Sequence, residues 1–324
     1  MISIIIPNYN KGKFIAETIN SVFIQTYKKW ECVIVDDKSN DDSVHIINKL
    51  IKNDERFKLI INDQNKGGSF SRNLGIKNSR YNYIMFLDSD DILSPNCLKN
   101  RIDFTVKQSN LDFTVFPMGT FYKKLGDSYK IWNNFKGNHK KRFLMHDLPW
   151  HTMMVLWHKD ALIKINGFDK NYIRLQDVEL HTKALISGLK YKVNKNATVD
   201  SYFRIDSSRI TINYFSFIEN KVKGAIQFIN SFVKVLEEKK QYNDLKLLKG
   251  TFFTVISEIF HAYRVGIIDQ HQKEELCQLL HKKSLIKNRF NLKDKISLTF
   301  YFFVSNKKIK IRGLNFITKL ILVI

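Results

Sequence analysis

The stretch YIMFLDSDD, residues 83–91, sets Asp88, Asp90 and Asp91 directly behind an apolar run. Carboxylates this close repel one another, so the end of a buried strand needs positive charge beside them. A divalent cation would supply it. Hard carboxylate oxygens suit Mg²⁺ or Mn²⁺, and such an ion commonly shares its remaining positions with substrate phosphates. The competing reading is a solvated turn with N-capping aspartates, since Pro95 follows closely.

The elements that must hold these acids alternate along the chain. SIIIP (3–7), WECVIVDD (30–37), FKLIIND (57–63) and YIMFLD (83–88) have strand character. Helical spacing occupies 14–25, 39–52, where Ser39 resembles a helix start, and 69–79. Apolar strands alternating with helices predict a mostly parallel α/β sheet covered on both faces. Ligands of such sheets sit at the carboxyl ends of the strands. The four strands here end in PNYN, DDKSN, NDQNKGG and DSDD, so that edge is the candidate site.

Beyond it, 111–118 reads as a strand, 147–169 as strand, short helix and turn, 176–188 as a helix, and 190–206 as the last strands. After Tyr214 the pattern is helical. The predicted division is an α/β domain over 1–210 and a helical region over 211–324.

Composition narrows the class. The 324 residues are 44% hydrophobic, enough for a substantial core, which argues against wholesale disorder. Cys32, Cys97 and Cys277 form no CxxC pair, which disfavours a zinc ribbon or a disulfide framework and fits a reducing compartment. The opening MISIIIPNYN lacks the charged start and long apolar block of a secretory signal and reads as a cytosolic start.

The net charge is +22, and from residue 282 onward eleven Lys and Arg face the single acid Asp294. That basic end suits nucleic acid or an anionic membrane. No helix-turn-helix, RNA-recognition or zinc signature accompanies it, so nucleic-acid binding is disfavoured. In KIKIRGLNFITKLILVI (308–324), Lys308, Arg312, Asn315 and Lys319 form a polar stripe at helical spacing. The closing apolar run is far below the ~20 residues that span a bilayer. An amphipathic helix lying on a membrane surface and a terminal helix packed on the core are both open.

The ordered set SIIIPNYNKGKFIAETINSVFIQTYKKWECVIVDDKSNDDS, NKGGSFSRNLGI, YIMFLDSDD, NGFD and QDVEL resembles the inverting family 2 glycosyltransferases with the GT-A fold. The resemblance covers residues 1 to about 211. It implies a nucleotide-sugar donor, with UDP favoured, a Mn²⁺ or Mg²⁺ cofactor, and a glycan or lipid-linked glycan acceptor for a surface polysaccharide. A cytoplasmic enzyme peripheral to the membrane follows from the resemblance together with the basic tail.

Residue by residue, the resemblance places Pro7, Tyr9 and Asn10 around the base and gives Asp37 a hydrogen bond from its imide. Lys66, Gly67 and Arg72 would lie along the diphosphate, the glycine allowing close backbone approach and the arginine pairing with phosphate. Asp90 would be the main metal ligand, with Asp88 reaching the ribose or the same ion. Asp177 matches the family's catalytic base, a capping role beside Glu179 being the alternative. Its usual neighbour is Glu, whereas Gln176 stands here. A second departure is Asp206, where relatives often carry a histidine two residues after the arginine matched by Arg204. PWHTMMVLWH (149–158) is assigned to the acceptor pocket, with Trp150, His151 and Thr152 as contacts, and Asp91, adjoining the metal loop, is assigned a contact to the acceptor hydroxyl. A nucleotidyltransferase is the rival enzyme class; it would be expected to carry a Gly-rich basic N-terminal loop in place of PNYNKGKF.

Overall fold

The computed structural model describes residues 1–206, 214–296 and 298–299. The chain forms two units, one of 1–137 with 149–206 and one of 138–148 with 207–324. The expected tail helix over 308–324 lies outside the described residues. In order, the chain runs β1 (Ile2–Asn8), α1 (Gly12–Phe23), β2 (Trp30–Asp36), α2 (Ser43–Ile51), β3 (Phe57–Ile61), α3 (Gly68–Asn78) and β4 (Tyr83–Phe86). Then follow β5 (Ile92–Leu93), α4 (Cys97–Thr105), β6 (Phe113–Val115), β7 (Met118–Phe121), β8 (Ile131–Trp132) and α5 (His139–Leu144). The remainder is β9 (Val155–His158), α6 (Lys159–Lys164), α7 (Gln176–Ile186), β10 (Tyr191–Val193), β11 (Ser201–Arg204), α8 (Tyr214–Glu238), α9 (Tyr242–Arg264) and α10 (Gln270–Lys283).

The first unit is built on a seven-stranded sheet in the order β10-β6-β9-β4-β1-β2-β3. Its pairings are parallel except at β9, which runs antiparallel to β4 and β6. Ile2, Ile4, Ile5 and Ile6 of β1 are all buried, so the strand is apolar without alternation because both faces are covered. Helix α3 lies tightly on it: a Cβ at Gly75 would come within 2.3 Å of Ile5 Cγ2. Chain order reverses at β1, with β2 on one side and β4 on the other. The loops after β1 and β4 therefore flank the crevice where such sheets bind ligands. A second sheet, β5-β11-β7-β8, carries the strand after the acids.

Several details differ from the sequence expectation. Helix α2 starts at Ser43, because Ser39 is engaged elsewhere: its hydroxyl donates to Asp36 at 2.7 Å. The single strand expected over 111–118 divides at Phe116 and Pro117 into β6 and β7, which join different sheets. Residues 138–148 belong to the second unit instead of the first. There Thr251 Oγ1 donates to Leu144 O at 2.7 Å, and Gly250 lies against Met145, where a Cβ would meet the Met145 side chain at 2.8 Å. Helices α8, α9 and α10 complete that unit around Phe228, Phe252, Ile256, Ile259 and Leu276. Among the described residues no helix is long and apolar enough to cross a membrane.

One buried ion pair ties the two sheets of the first unit. Arg101 on α4 donates to Asp200 at 2.6 Å, to Ser201 at 2.8 Å and to Met153 O at 2.6 Å, and both charged side chains are essentially inaccessible. Removing one partner strands a buried charge, at a cost of about 3–5 kcal/mol. Arg101→Met is therefore expected to lose that much in denaturant unfolding, and Arg101→Met with Asp200→Leu to regain most of it. A loss below about 1 kcal/mol for the single variant would contradict the pairing.

His181 on α7 is fully buried, stacked on Trp157 at 5.8 Å and edge-on to Trp150 at 5.9 Å. Burial, opposed by the Asp177 carboxylate and reinforced by His151, pushes its pKa down to about 3. An unfolded histidine titrates near 6.5, so the unfolded chain binds the extra proton as the pH falls between those values. The contribution is complete above about pH 6.5 and is lost at up to about 1.4 kcal/mol per pH unit below it. Unfolding of His181→Gln is expected to show a shallower slope between about pH 6 and pH 4 than the parent chain. Superimposable slopes would refute the assignment.

Candidate active site

The acids after β4 are compensated by cations from three distant segments. Arg72 on α3 donates Nη2 to Asp88 Oδ1 at 2.6 Å, and Lys11, just ahead of α1, places Nζ 2.8 Å from Asp90 Oδ2. Arg204 on β11 donates its backbone N to Asp91 Oδ1 and its Nε to Asp90 O, both at 2.8 Å. The three carboxylates have different fates. Asp88 keeps 29% of its side chain exposed and Asp90 5%, while Asp91 is completely buried. Burial, with the Asp88 charge beside it, pushes the Asp91 carboxyl well above the usual carboxylate range. Asp91 thus anchors β11 and does not reach an acceptor hydroxyl, which corrects the sequence assignment.

Helix α3 enters the site through Gly67 and Gly68. Gly67 has φ +85°, a left-handed conformation that disfavours side chains, and its N–H donates to Asp37 Oδ2 at 2.7 Å. Asp37 Oδ1 accepts from Asn62 at 2.7 Å and from Lys66 N at 2.9 Å. A carboxylate offers about four acceptor directions, so three of them go to ordering the 62–67 loop. Asp37 is first of all the organiser of that loop. Lys66 pairs with Asp63 at 2.6 Å. A Cβ on Gly68 would lie 2.9 Å from Arg72 Nη1, so its absence makes room for the guanidinium.

On the β1 side, Asn8 Nδ2 donates to Asp36 at 2.7 Å, and Asn10, at φ +51°, donates its N–H to Ser39 Oγ at 2.9 Å. The loops after β1 and β2 are thereby laced together. Tyr9 between them is 45% exposed, beside the half-buried Pro7.

Arg72 has a second partner, donating Nη1 to Gln176 Oε1 at 2.8 Å. Gln176 opens α7 and is itself fixed by Nε2 donating to Tyr172 O at 3.0 Å. The next residue, Asp177, retains 26% exposure, and its Oδ2 lies 3.9 Å from His151 Nε2. Leu175 stands at the cap position of α7 and makes no side-chain cap bond; Asp177 and Glu179 lie in the first turn, and Glu179 turns inward to Lys183 at 2.9 Å.

His151 is half-buried and stands with Trp132 and Phe203, its ring 6.2 Å and 5.7 Å from theirs. Its neighbours in sequence behave differently. Trp150 is buried against Phe113, Tyr191 and His181, and Thr152 is buried in a short 3₁₀ turn, so neither offers the acceptor contact assigned to it.

Asp88 and Asp90 have the hard oxygen chemistry of a Mg²⁺ or Mn²⁺ site, and their present cationic partners show that the loop demands positive charge. The residues fit such an ion. Among the described residues no group of three or more His, Cys, Asp or Glu is placed to hold a metal, so the other positions would fall to diphosphate oxygens and water. Asp206 joins no such cluster.

Lys11, Trp132 and Phe203 were not identified from sequence. Lys11 stands next to the recognised PNYN, but its meeting with Asp90 spans 79 positions. Trp132 is brought to His151 by the β7–β8 pairing, which leaves no local pattern.

The Glycosyl transferase family 2 model matches residues 3–166. Poly(ribitol-phosphate) beta-N-acetylglucosaminyltransferase TarP of Staphylococcus aureus is 28% identical over 313 residues, covering 91% of this chain and 85% of that protein. Glycosyltransferase GlyG of Streptococcus pneumoniae is 32% identical over 227 residues, covering 70% of this chain and 72% of its own. Some other curated relatives match over less than half of their own length. The crystal structure of S. aureus TarS 1-349 in complex with UDP-GlcNAc aligns with a TM-score of 0.66 at 17% identity, covering 99% of this chain and 90% of that one. A mostly parallel sheet with the GT-A arrangement, the matched residues and the full-length likeness agree: this chain belongs to glycosyl transferase family 2.

Proposed function

We propose that the protein is a metal-dependent inverting glycosyltransferase that moves a sugar from a UDP-sugar to a glycan or lipid-linked glycan acceptor of a surface polysaccharide. The observation that carries the reading is the reach of Arg72, which bonds both Asp88 in the acid loop and Gln176, the residue before Asp177. Donor-binding charge and candidate base are thereby held one guanidinium apart.

In this reading the exposed Tyr9 ring, with Pro7 and Asn10, receives the base. The 66–68 loop, already ordered by Asp37, passes along the diphosphate, and Arg72 pairs with it. Asp88 and Asp90 would hold Mg²⁺ or Mn²⁺, which when bound offsets the charge that grows on the departing diphosphate. Asp177 accepts the proton of the acceptor hydroxyl as that oxygen bonds to the anomeric carbon. The bond from that carbon to the diphosphate breaks on the opposite face, and UDP leaves with the bonding pair, so the configuration inverts. His151 borders Asp177 on the acceptor side.

UDP-GlcNAc is the first donor to test, because TarS was crystallised with it and TarP is named for transferring that sugar. A net charge of +22 suits an acceptor bearing phosphates, such as the poly(ribitol-phosphate) of TarP's name. The basic stretch 308–324 is assigned to an anionic membrane surface, which would keep the enzyme peripheral and cytoplasmic.

Calorimetry with UDP-GlcNAc and Mn²⁺ is expected to show that Asp90→Asn loses metal-dependent donor binding. Asp177→Asn should keep donor binding and lose about 10²-fold or more in UDP release with acceptor. Equal donor affinity with and without metal would overturn the metal role, and normal turnover by Asp177→Asn would remove the base. Truncation at residue 305 is expected to reduce sedimentation with anionic liposomes; unchanged sedimentation would refute the tail's assignment.

A further inference from the structure

Lys11 has no part in the reading above, yet it makes the direct ion pair to the more buried of the two exposed-edge carboxylates. Its backbone is fixed. The Lys11 N–H donates to Ser43 Oγ at 3.0 Å, and the next N–H, of Gly12, donates to Asp41 Oδ2 at 2.8 Å. From that fixed point the flexible stem carries Nζ to Asp90 Oδ2 at 2.8 Å, with 25% of the lysine side chain and 5% of Asp90 exposed. The lysine side chain is therefore partly accessible while the carboxylate is nearly enclosed.

Asp88 and Asp90 are matched by Arg72 and Lys11. Asp90 needs a counter-charge at all times, because a buried carboxylate left alone is strongly unfavourable. A divalent cation arriving by itself would leave the loop with excess positive charge, and a diphosphate arriving with it would restore neutrality. Arg72 is poorly suited to give way, since its planar fork is held at once by Asp88 and Gln176. Lys11 meets Asp90 through a compact ammonium on a stem of freely rotating bonds, with no fixed planar fork, and can move.

We propose that Lys11 is a tethered counter-cation. It holds the place of the metal on Asp90 in the empty enzyme, competes with a divalent ion arriving alone, and moves to the diphosphate when metal and donor arrive together. Binding of metal and nucleotide then becomes mutually dependent, and the enzyme does not load metal without its donor. This inference rests on the reading that Asp88 and Asp90 hold the metal.

The test is Mn²⁺ binding to the full chain, followed by the spin-resonance signal of free Mn²⁺, with and without UDP. Lys11→Met, which keeps the length of the stem, is expected to bind Mn²⁺ alone about fivefold more tightly than the parent chain. UDP should then add less to its Mn²⁺ affinity than it adds in the parent. Lys11→Arg should resemble the parent, and Lys13→Met, which removes the same formal charge two residues away, should change nothing. Lys11→Gln repeats the measurement if Lys11→Met does not fold. Equal Mn²⁺ affinities for parent and Lys11→Met, or the same gain from Lys13→Met, would overturn the inference. If Asp90→Asn abolishes binding that Lys11→Met leaves unaltered, this inference alone fails. If neither the parent nor Lys11→Met binds Mn²⁺ in either condition, the metal reading fails and takes this one with it.

Discussion

The carboxylates at the end of β4 set the terms for the rest of the first unit. Closely spaced acids at the mouth of a parallel sheet are tolerable only if cations converge on them, and each cation here comes from a different element. Lys11 comes from the loop after β1, Arg72 from α3 and Arg204 from β11. The strand order brings the β1 and β4 loops together, Gly75 lets α3 settle on β1, and the second sheet delivers β11. The fold can be understood as the means by which three remote positive groups meet one short acidic loop.

Arg72 carries the arrangement furthest. Its two terminal nitrogens divide between a carboxylate, Asp88, and an amide oxygen, Gln176. With glutamate at 176, as the family pattern would have it, two carboxylates would share one guanidinium. The neutral amide accepts the hydrogen bond without adding a negative charge. It thereby keeps the start of α7, and Asp177 with it, registered against the acid loop. Gly68 belongs to the same device, since a Cβ there would lie 2.9 Å from Arg72 Nη1 and 3.1 Å from Gln176 Oε1.

Burial separates residues that look alike in sequence. Asp88, Asp90 and Asp91 fall within four positions, but the last is sealed off by Arg204 and serves the fold. Trp150, His151 and Thr152 are consecutive, and the middle residue lies 3.9 Å from Asp177 while its neighbours are buried. Asp37 appeared suited to a base and is engaged chiefly by the backbone of the 62–67 loop. Its effect on a nucleotide would then pass through the shape of that loop.

The sequence by itself determined the class of fold, the order of the first four strands, the edge on which the site lies and most of the residues gathered there. Those features are carried by short apolar runs and by the polar segments that end them, and both are local. Tertiary structure decided the rest. The meeting of Lys11 with Asp90, of Arg72 with Gln176 and of Trp132 with His151 spans long stretches of chain and depends on strand order and helix packing. So does the assignment of 138–148 to the helical unit, fixed by the fit of Met145 against a bare Gly250. Local pattern records whether a side chain prefers water or the interior; which side chain it meets there is settled by packing, and ion pairs and hydrogen bonds require that meeting to within a fraction of an ångström.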